Sequence, residues 1–296
     1  MAPPVVAVFT KNNTNPAYVA ARLAADLVAR EAGARTIHYV PETADDVGQQ
    51  KILVEQALKA RPDIVIFVPV ADVKMVGDAA KFTALGIPVV LAVNRMQGEF
   101  VSFVGSDDVE VGRAGARALF EGLGGKGKVV AIDGTPAAPT MRDRTTGVHR
   151  ALAEFPGIEL LGSAIGMNHR GEGRKAMETL LARHSHIDGV WAGNDVMAYG
   201  VIEALDRAGR TARIVGTNGL SEAIDHIEAG RMLATVDFSA FKICHLAAQA
   251  ALRHLEGERI PAVITLPTVV IDKSNCAAWK VPFEQRPRPL WEDYVW

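Results

Sequence analysis

Two stretches of this chain follow one plan, in which an apolar run of strand length passes into a polar loop and then into a segment with helical periodicity. The first is Val5-Val6-Ala7-Val8-Phe9 before Thr10-Lys11-Asn12-Asn13-Thr14-Asn15-Pro16; the second is Lys128-Val129-Val130-Ala131-Ile132 before Asp133-Gly134-Thr135-Pro136. Strand and helix alternate onward from each start without hairpins. That pattern predicts an α/β fold of two doubly wound, Rossmann-like parallel sheets. Sheets of this kind bind ligands beyond the carboxyl ends of their strands, so two facing sheets are expected to form a cleft for a small molecule.

In the first lobe Asn15 caps a helix opened by Pro16, and Val19, Leu23, Leu27 and Val28 follow at helical spacing until Gly33. Strands are expected at 36–40, 63–69, 88–93 and 100–105, with helices at 47–60 and 73–85. The unbroken apolar run from Ile64 to Val68 suits a sheet covered on both faces. The second lobe is expected to carry strands at 128–133, 158–165, 189–192, 213–217 and 233–237, with helices at 109–123, 142–155, 171–183, 195–208 and 221–229. A helix at 240–255 and a strand at 263–267 have no partner unit there and are placed back on the first lobe.

The expected division is therefore 1–105 plus 239–267 against 106–238 plus 268–296, with chain crossings near Ser106, Phe238 and Pro267. Three connections would restrict relative motion to opening and twisting. The proline-rich, aromatic-spaced stretch from Trp279 to Trp291 reads as an extended arm lying along a surface.

The 32 basic and 34 acidic residues are interspersed, with no block of five like charges, and leave no nucleic-acid footprint. No apolar run approaches the roughly 20 residues that span a bilayer. Met1-Ala2-Pro3-Pro4 leads almost at once into the first strand, as in a mature domain restarted with an initiator Met. Cys244 and Cys276 lack metal spacing and are expected to be unpaired thiols.

Catalysis would need a nucleophile with its base, a metal cluster or a phosphate loop. The eight histidines form one close pair, His184 and His186, on different helical faces. Gly122-Leu123-Gly124-Gly125-Lys126-Gly127 precedes a strand instead of following one, so it reads as a helix stop and not as a phosphate cradle. No catalytic residue, metal or cofactor is expected.

Asn15-Pro16, Val93-Asn94-Arg95, Arg142-Asp143-Arg144-Thr145-Thr146-Gly147, Ala192-Gly193-Asn194-Asp195-Val196-Met197-Ala198 and Val215-Gly216-Thr217-Asn218-Gly219 occur in that order. Over about residues 5 to 275 the chain resembles the ribose/galactose branch of the type I periplasmic solute-binding proteins that serve ABC importers. The resemblance implies a two-lobed monomer that captures a small sugar, polyol or sugar acid and delivers it to a membrane permease. It also implies a periplasmic location, with a signal peptide already removed. On the matching positions it implies ligand contacts from Thr10, Lys11, Asn15, Tyr18, Asn94, Arg95, Arg144, Asn168, Asn194, Asn218 and Phe238. In this reading Asn194 bonds a ligand hydroxyl and Asp195 caps the helix, while Arg95 and Arg144 offer forked donors. The alternatives are that Asn194 and Asp195 only cap, and that each arginine only makes a salt bridge.

The chain departs from the sugar-binder's pattern at several of these positions. Asn94 and Asn218 stand where the family usually has Asp, and the family's sandwiching rings fall on Ala17, Tyr18, Asn168 and Thr217, so that Tyr18 alone is aromatic. Two lost carboxylates beside Lys11, Arg95, Arg144, His169 and Arg170 would shift the cleft toward positive potential and favour an anion. A linear polyol, needing neutral hydrogen bonds and no ring sandwich, is a second reading. A larger flat anion such as a quinone cofactor, stacked on Tyr18, Phe238 or Trp191, is a third. The effector domain of a related transcription regulator is a fourth, set against by only four residues ahead of the first strand, too few for the usual DNA-binding helices.

Overall fold

The computed structural model describes residues 2–295. They divide into two units, the first comprising 2–106, 239–266 and 283–295 and the second 107–238 and 267–282.

In the first unit β1 (Val5–Phe9), buried from Val6 onward, lies between β2 (Arg35–Tyr39) and β3 (Ile64–Phe67). β4 (Val89–Ala92) and β5 (Ser102–Ser106) extend the sheet on the β3 side. The connecting helices are α1 (Pro16–Glu31), α2 (Val47–Ala60) and α3 (Val76–Ala84). Strands β1, β3 and β4 are fully buried at almost every position, as strands covered by helices on both faces must be. Phe9 packs its ring against Tyr39, Phe67 and Phe82 at 4.8, 5.0 and 5.9 Å between centroids, tying three strands and α3 into one core.

The second unit begins with α4 (Asp108–Gly122) and repeats the scheme: β6 (Lys126–Asp133), α5 (Pro139–Glu154), β7 (Gly157–Ile165), α6 (Arg170–Arg183), β8 (Gly189–Ala192), α7 (Asp195–Arg207), β9 (Arg213–Thr217), α8 (Ser221–Glu228) and β10 (Ala234–Asp237). α9 (Ala240–Leu255) and β11 (Val263–Leu266) return to the first unit, where α9 packs on α1 through alanines of both helices and β11 pairs with β5. β12 (Val269–Asp272) then joins the second sheet. The sheet orders are β11-β5-β4-β3-β1-β2 and β12-β10-β9-β8-β6-β7. In each, the strand order reverses beside the opening strand, at β1/β3 and at β6/β8, which is where a doubly wound sheet presents a ligand crevice at its carboxyl edge.

Three expectations need correction. α5 starts at Pro139, ahead of Arg142, because a proline in the first turn gives up no helical hydrogen bond. The segment after Val269 contains a strand, β12, which runs antiparallel to β10 as the second sheet's edge. Only Pro267 and Thr268 separate it from β11 in the other sheet, so the chain changes sheets without a loop long enough to announce it.

The third concerns the tail. Residues 283–295 lie on the first unit instead of the second, which adds a fourth crossing after Pro282. The Arg288 guanidinium meets Glu31 of α1 at 2.6 Å, and the Arg253 guanidinium of α9 lies 5.0 Å from the ring centre of Trp291. Nor is the arm extended throughout: short 3-10 turns at Phe283–Gln285 and Trp291–Asp293 close on internal hydrogen bonds, with the Arg286 amide donating to the Phe283 carbonyl at 3.2 Å and the Tyr294 amide to the Trp291 carbonyl at 3.1 Å.

Candidate ligand-binding site

At the carboxyl edge of the first sheet, Thr10 and Lys11 follow β1 and are buried. The Thr10 hydroxyl accepts from the Arg22 guanidinium at 2.7 Å, and the Lys11 carbonyl accepts from the Asp45 amide at 3.1 Å. Asn15 caps α1, accepting from the Ala17 amide at 2.9 Å, and Tyr18 sits in the first turn, 8 % exposed. The loop after β3 is held by buried Gln50, whose side chain donates to the Val68 carbonyl and accepts from the Val70 amide at 3.0 and 2.9 Å.

After β4 the backbone enters the left-handed region at Val93, with φ 68°, a conformation a β-branched residue adopts only under constraint. That turn directs Asn94 inward. Its amide donates to the Pro69 carbonyl at 2.7 Å, while its Oδ1 is buried with no hydrogen-bond partner. Arg95 is exposed and lies 4.1 Å over the Phe103 ring.

At the carboxyl edge of the second sheet the third and fourth strands again supply polar side chains. Asn194 follows β8 and Asn218 follows β9, at φ 138°. Asn218 Oδ1 and the Thr217 hydroxyl are both buried without a hydrogen-bond partner. Asn168, also left-handed at φ 58°, donates to the Thr135 hydroxyl at 3.1 Å and lies 3.5 Å from the Asn194 amide nitrogen. Arg144 on α5 is 2 % exposed. Its Nε donates to Asp108 at 2.8 Å, its Nη1 donates to the Gly193 carbonyl at 2.9 Å, and its guanidinium lies 4.7 Å over the Phe238 ring. Thus Arg144, Asn168, Asn194, Asn218 and Phe238 gather at one edge of the second unit, and Thr10, Lys11 and Asn94 at the corresponding edge of the first.

Several expected roles change. Asn194, not Asp195, caps α7, accepting from the Met197 amide at 2.9 Å and leaving its amide group for other partners. Asp195 lies beneath, fully buried, accepting from the Thr235 hydroxyl at 2.7 Å and the Leu220 amide at 3.0 Å. Burial nonetheless pushes its pKa up to about 6. Trp191 is 2 % exposed in the core with Phe120, Val215 and Ala234, so it offers no stacking face. Arg170 pairs with Glu203 and Glu222 at 2.6 and 2.9 Å, and His169 caps α6 by accepting from the Gly171 amide.

The positive rim inferred from the sequence is weakened, since Arg144 is neutralised by Asp108 and Arg170 by two glutamates, while Arg95 keeps an exposed charge. Asp108, Thr135 and Gln50 were missed. Asp108 carried one signal, its place in the first turn of a helix, but that position suits any acidic residue.

Residues 6–259 match the sequence profile of the family described as "Periplasmic binding protein domain". The chain belongs to that family. Membership makes it a binding protein, not an enzyme. Among its relatives, the ribose import binding protein of Bacillus subtilis (strain 168) is 28 % identical over 86 % of this chain and 82 % of its own length. The xylitol-binding protein of Mycolicibacterium smegmatis is 30 % identical, over 86 % of this chain and 75 % of its own. Among solved structures, an ABC transporter periplasmic solute-binding protein from Actinobacillus succinogenes with bound D-allose superposes with a TM-score of 0.88 at 27 % identity, covering 93 % of this chain and 99 % of the other. One from Mycobacterium smegmatis with bound glycerol gives 0.88 at 28 %, covering 93 % and 96 %.

Proposed function

We propose that this periplasmic binding protein is the substrate-binding component of an ABC importer, and that it carries a small neutral sugar or polyol to a membrane permease. The observation that carries the neutral, hydroxyl-rich ligand is the set of buried acceptors at the two carboxyl edges: Asn94 Oδ1, Asn218 Oδ1 and the Thr217 hydroxyl. A buried polar atom without a partner is costly, and a ligand hydroxyl aimed at each supplies the missing donor. A carboxylate would bring only further acceptors to these atoms. The Asp108 partner of Arg144 points the same way, because a guanidinium already neutralised attracts an anion less strongly.

The related proteins are named for, or were solved with, ribose, xylitol, D-allose and glycerol, which are neutral polyhydroxylated molecules and support this class. The finer preference is for a polyol or an open-chain form, because Asn168 and Thr217 offer hydrogen bonds where a sugar ring would need stacking faces. Ligand binding shifts the population toward the conformation that binds it best. The protein works in the periplasm, its signal peptide removed, and as a monomer.

A thermal-shift panel of D-ribose, D-allose, xylitol, glycerol, myo-inositol, D-gluconate and citrate tests this reading. At about one hundred times Kd a ligand adds about 2.7 kcal/mol to the stability of the state that binds it. A rise in Tm with a neutral member supports the class. Rises confined to gluconate or citrate would overturn it.

A further inference from the structure

Two neighbouring loops of the second unit meet at Thr135. It lies in the loop after β6, where the Ala138 amide donates to its carbonyl at 3.0 Å and fixes its backbone in a turn. The loop after β7 is pinned to the same place: the Gly166 amide donates to the Asp133 carbonyl at 2.7 Å, and the His169 amide closes a turn on the Gly166 carbonyl at 2.9 Å. Met167 and Asn168 inside that turn are both left-handed, at φ 52° and 58°. Two successive non-glycine residues hold this conformation only where their surroundings impose it.

The Asn168 carboxamide lies against the β6 loop because position 134 has no side chain. A β-carbon on Gly134 would fall 2.0 Å from Asn168 Oδ1. Asn168 Nδ2 donates to the Thr135 hydroxyl at 3.1 Å, and its Oδ1 is 3.5 Å from Asn194 Nδ2. One end of a carboxamide donates and the other accepts. An acceptor at Thr135 therefore selects the orientation in which Asn168 turns its oxygen toward Asn194; the flipped form would set one amino group against another. Asn194 is oriented as well, since its Oδ1 takes the Met197 amide at 2.9 Å and its amino group is left as the donor.

We propose that Thr135 is a positioning residue of the ligand site: through Asn168 it holds the Asn194 amino group as a donor to an oxygen of a neutral, polyhydroxylated ligand. Thr135 need not touch the ligand. The proposal rests on the reading above in which Asn168 and Asn194 contact that ligand.

The test is calorimetry with xylitol and with D-ribose on Thr135→Val, which keeps the shape and loses the hydroxyl, and on Thr135→Ser, which keeps the hydroxyl. Thr135→Val should weaken binding by about tenfold in the wild-type background and by less than about twofold when Asn168 is already Ala. Thr135→Ser should bind within about twofold of wild type. Without any ligand, Thr135→Val should also move the side-chain amide signals of both Asn168 and Asn194 in nitrogen-15 NMR spectra, and Thr135→Ser should leave them near their wild-type positions.

Wild-type affinity in Thr135→Val, equal losses with and without Asn168, or unmoved Asn168 and Asn194 signals would each overturn the positioning role while leaving the neutral-ligand reading intact. If the wild type binds neither xylitol nor D-ribose, the part of the proposal that concerns a neutral ligand falls with that reading, and the amide signals decide whether Thr135 orients the two asparagines.

Discussion

Gly112 on α4 lies so close to Arg144 on α5 that a methyl group added to it would fall 2.0 Å from the Arg144 carbonyl oxygen. No side-chain rotation relieves a clash with backbone. Gly112→Ala should therefore cost more than about 3 kcal/mol, since it must push apart the helices whose contact seats a buried ion pair. Urea unfolding followed by circular dichroism measures this. A loss within about 0.5 kcal/mol, ordinary for a surface change, would show that α4 and α5 are not held as described.

Gln50 holds the loop after β3 from both sides, donating to the Val68 carbonyl and accepting from the Val70 amide. Gln50→Leu keeps the volume and leaves both groups buried without a partner. At about 1–3 kcal/mol for each orphaned group, a loss of about 2 kcal/mol or more is expected. Because Asn94 donates to Pro69 in the same loop, affinity should fall as well. A variant of unchanged stability and affinity would contradict both expectations.

Asp195 gives a pH dependence of definite sign. Its pKa rises from an ordinary 3.8 to about 6 in the folded chain, chiefly through burial, against the opposing pull of the Thr235 and Leu220 hydrogen bonds. The folded state thus holds its proton more tightly than the unfolded one, and stability from this group declines as pH rises from about 4 to 6. The difference in unfolding free energy between wild type and Asp195→Asn should shrink by about 3 kcal/mol over that window and stay level above it. Denaturation at a series of pH values checks this; a flat difference, or one of opposite slope, would count against it.

The strand and helix alternation was legible because burial on both faces writes itself as unbroken apolar runs such as Ile64–Phe67, and because caps such as Asn15 followed by Pro16 mark helix starts locally. What was not legible depended on contacts distant along the chain. The Asp108–Arg144 pair spans 36 residues, and the anchoring of Arg288 to Glu31 spans 257. Trp191 illustrates the same limit: a ring shortly before a site residue reads equally well as a stacking platform or as core, and only the packing of Phe120 and Val215 against it decides. The cap expected of Asp195 falls to Asn194 for a geometric reason, since one residue of shift along the start of α7 determines which side chain faces the first free amides.

The cysteines offer a test of core integrity. Cys244 and Cys276 are both free and buried, and burial pushes the Cys244 thiol up to about 12. Thiolate is the reactive form, so native protein should label slowly with iodoacetamide at neutral pH and quickly once unfolded. Rapid native labelling of Cys244, located by mass spectrometry, would show that the α1/α9 interface opens readily.

Isothermal titration calorimetry with D-ribose, D-allose, xylitol, glycerol and myo-inositol bears most directly on the central claim, with D-gluconate and citrate as charged controls. The account predicts saturable, one-to-one binding of at least one neutral member, weakened by about 2 kcal/mol or more in both Asn218→Ala and Arg144→Ala. Binding of the charged compounds alone, or neutral binding indifferent to both substitutions, would contradict it.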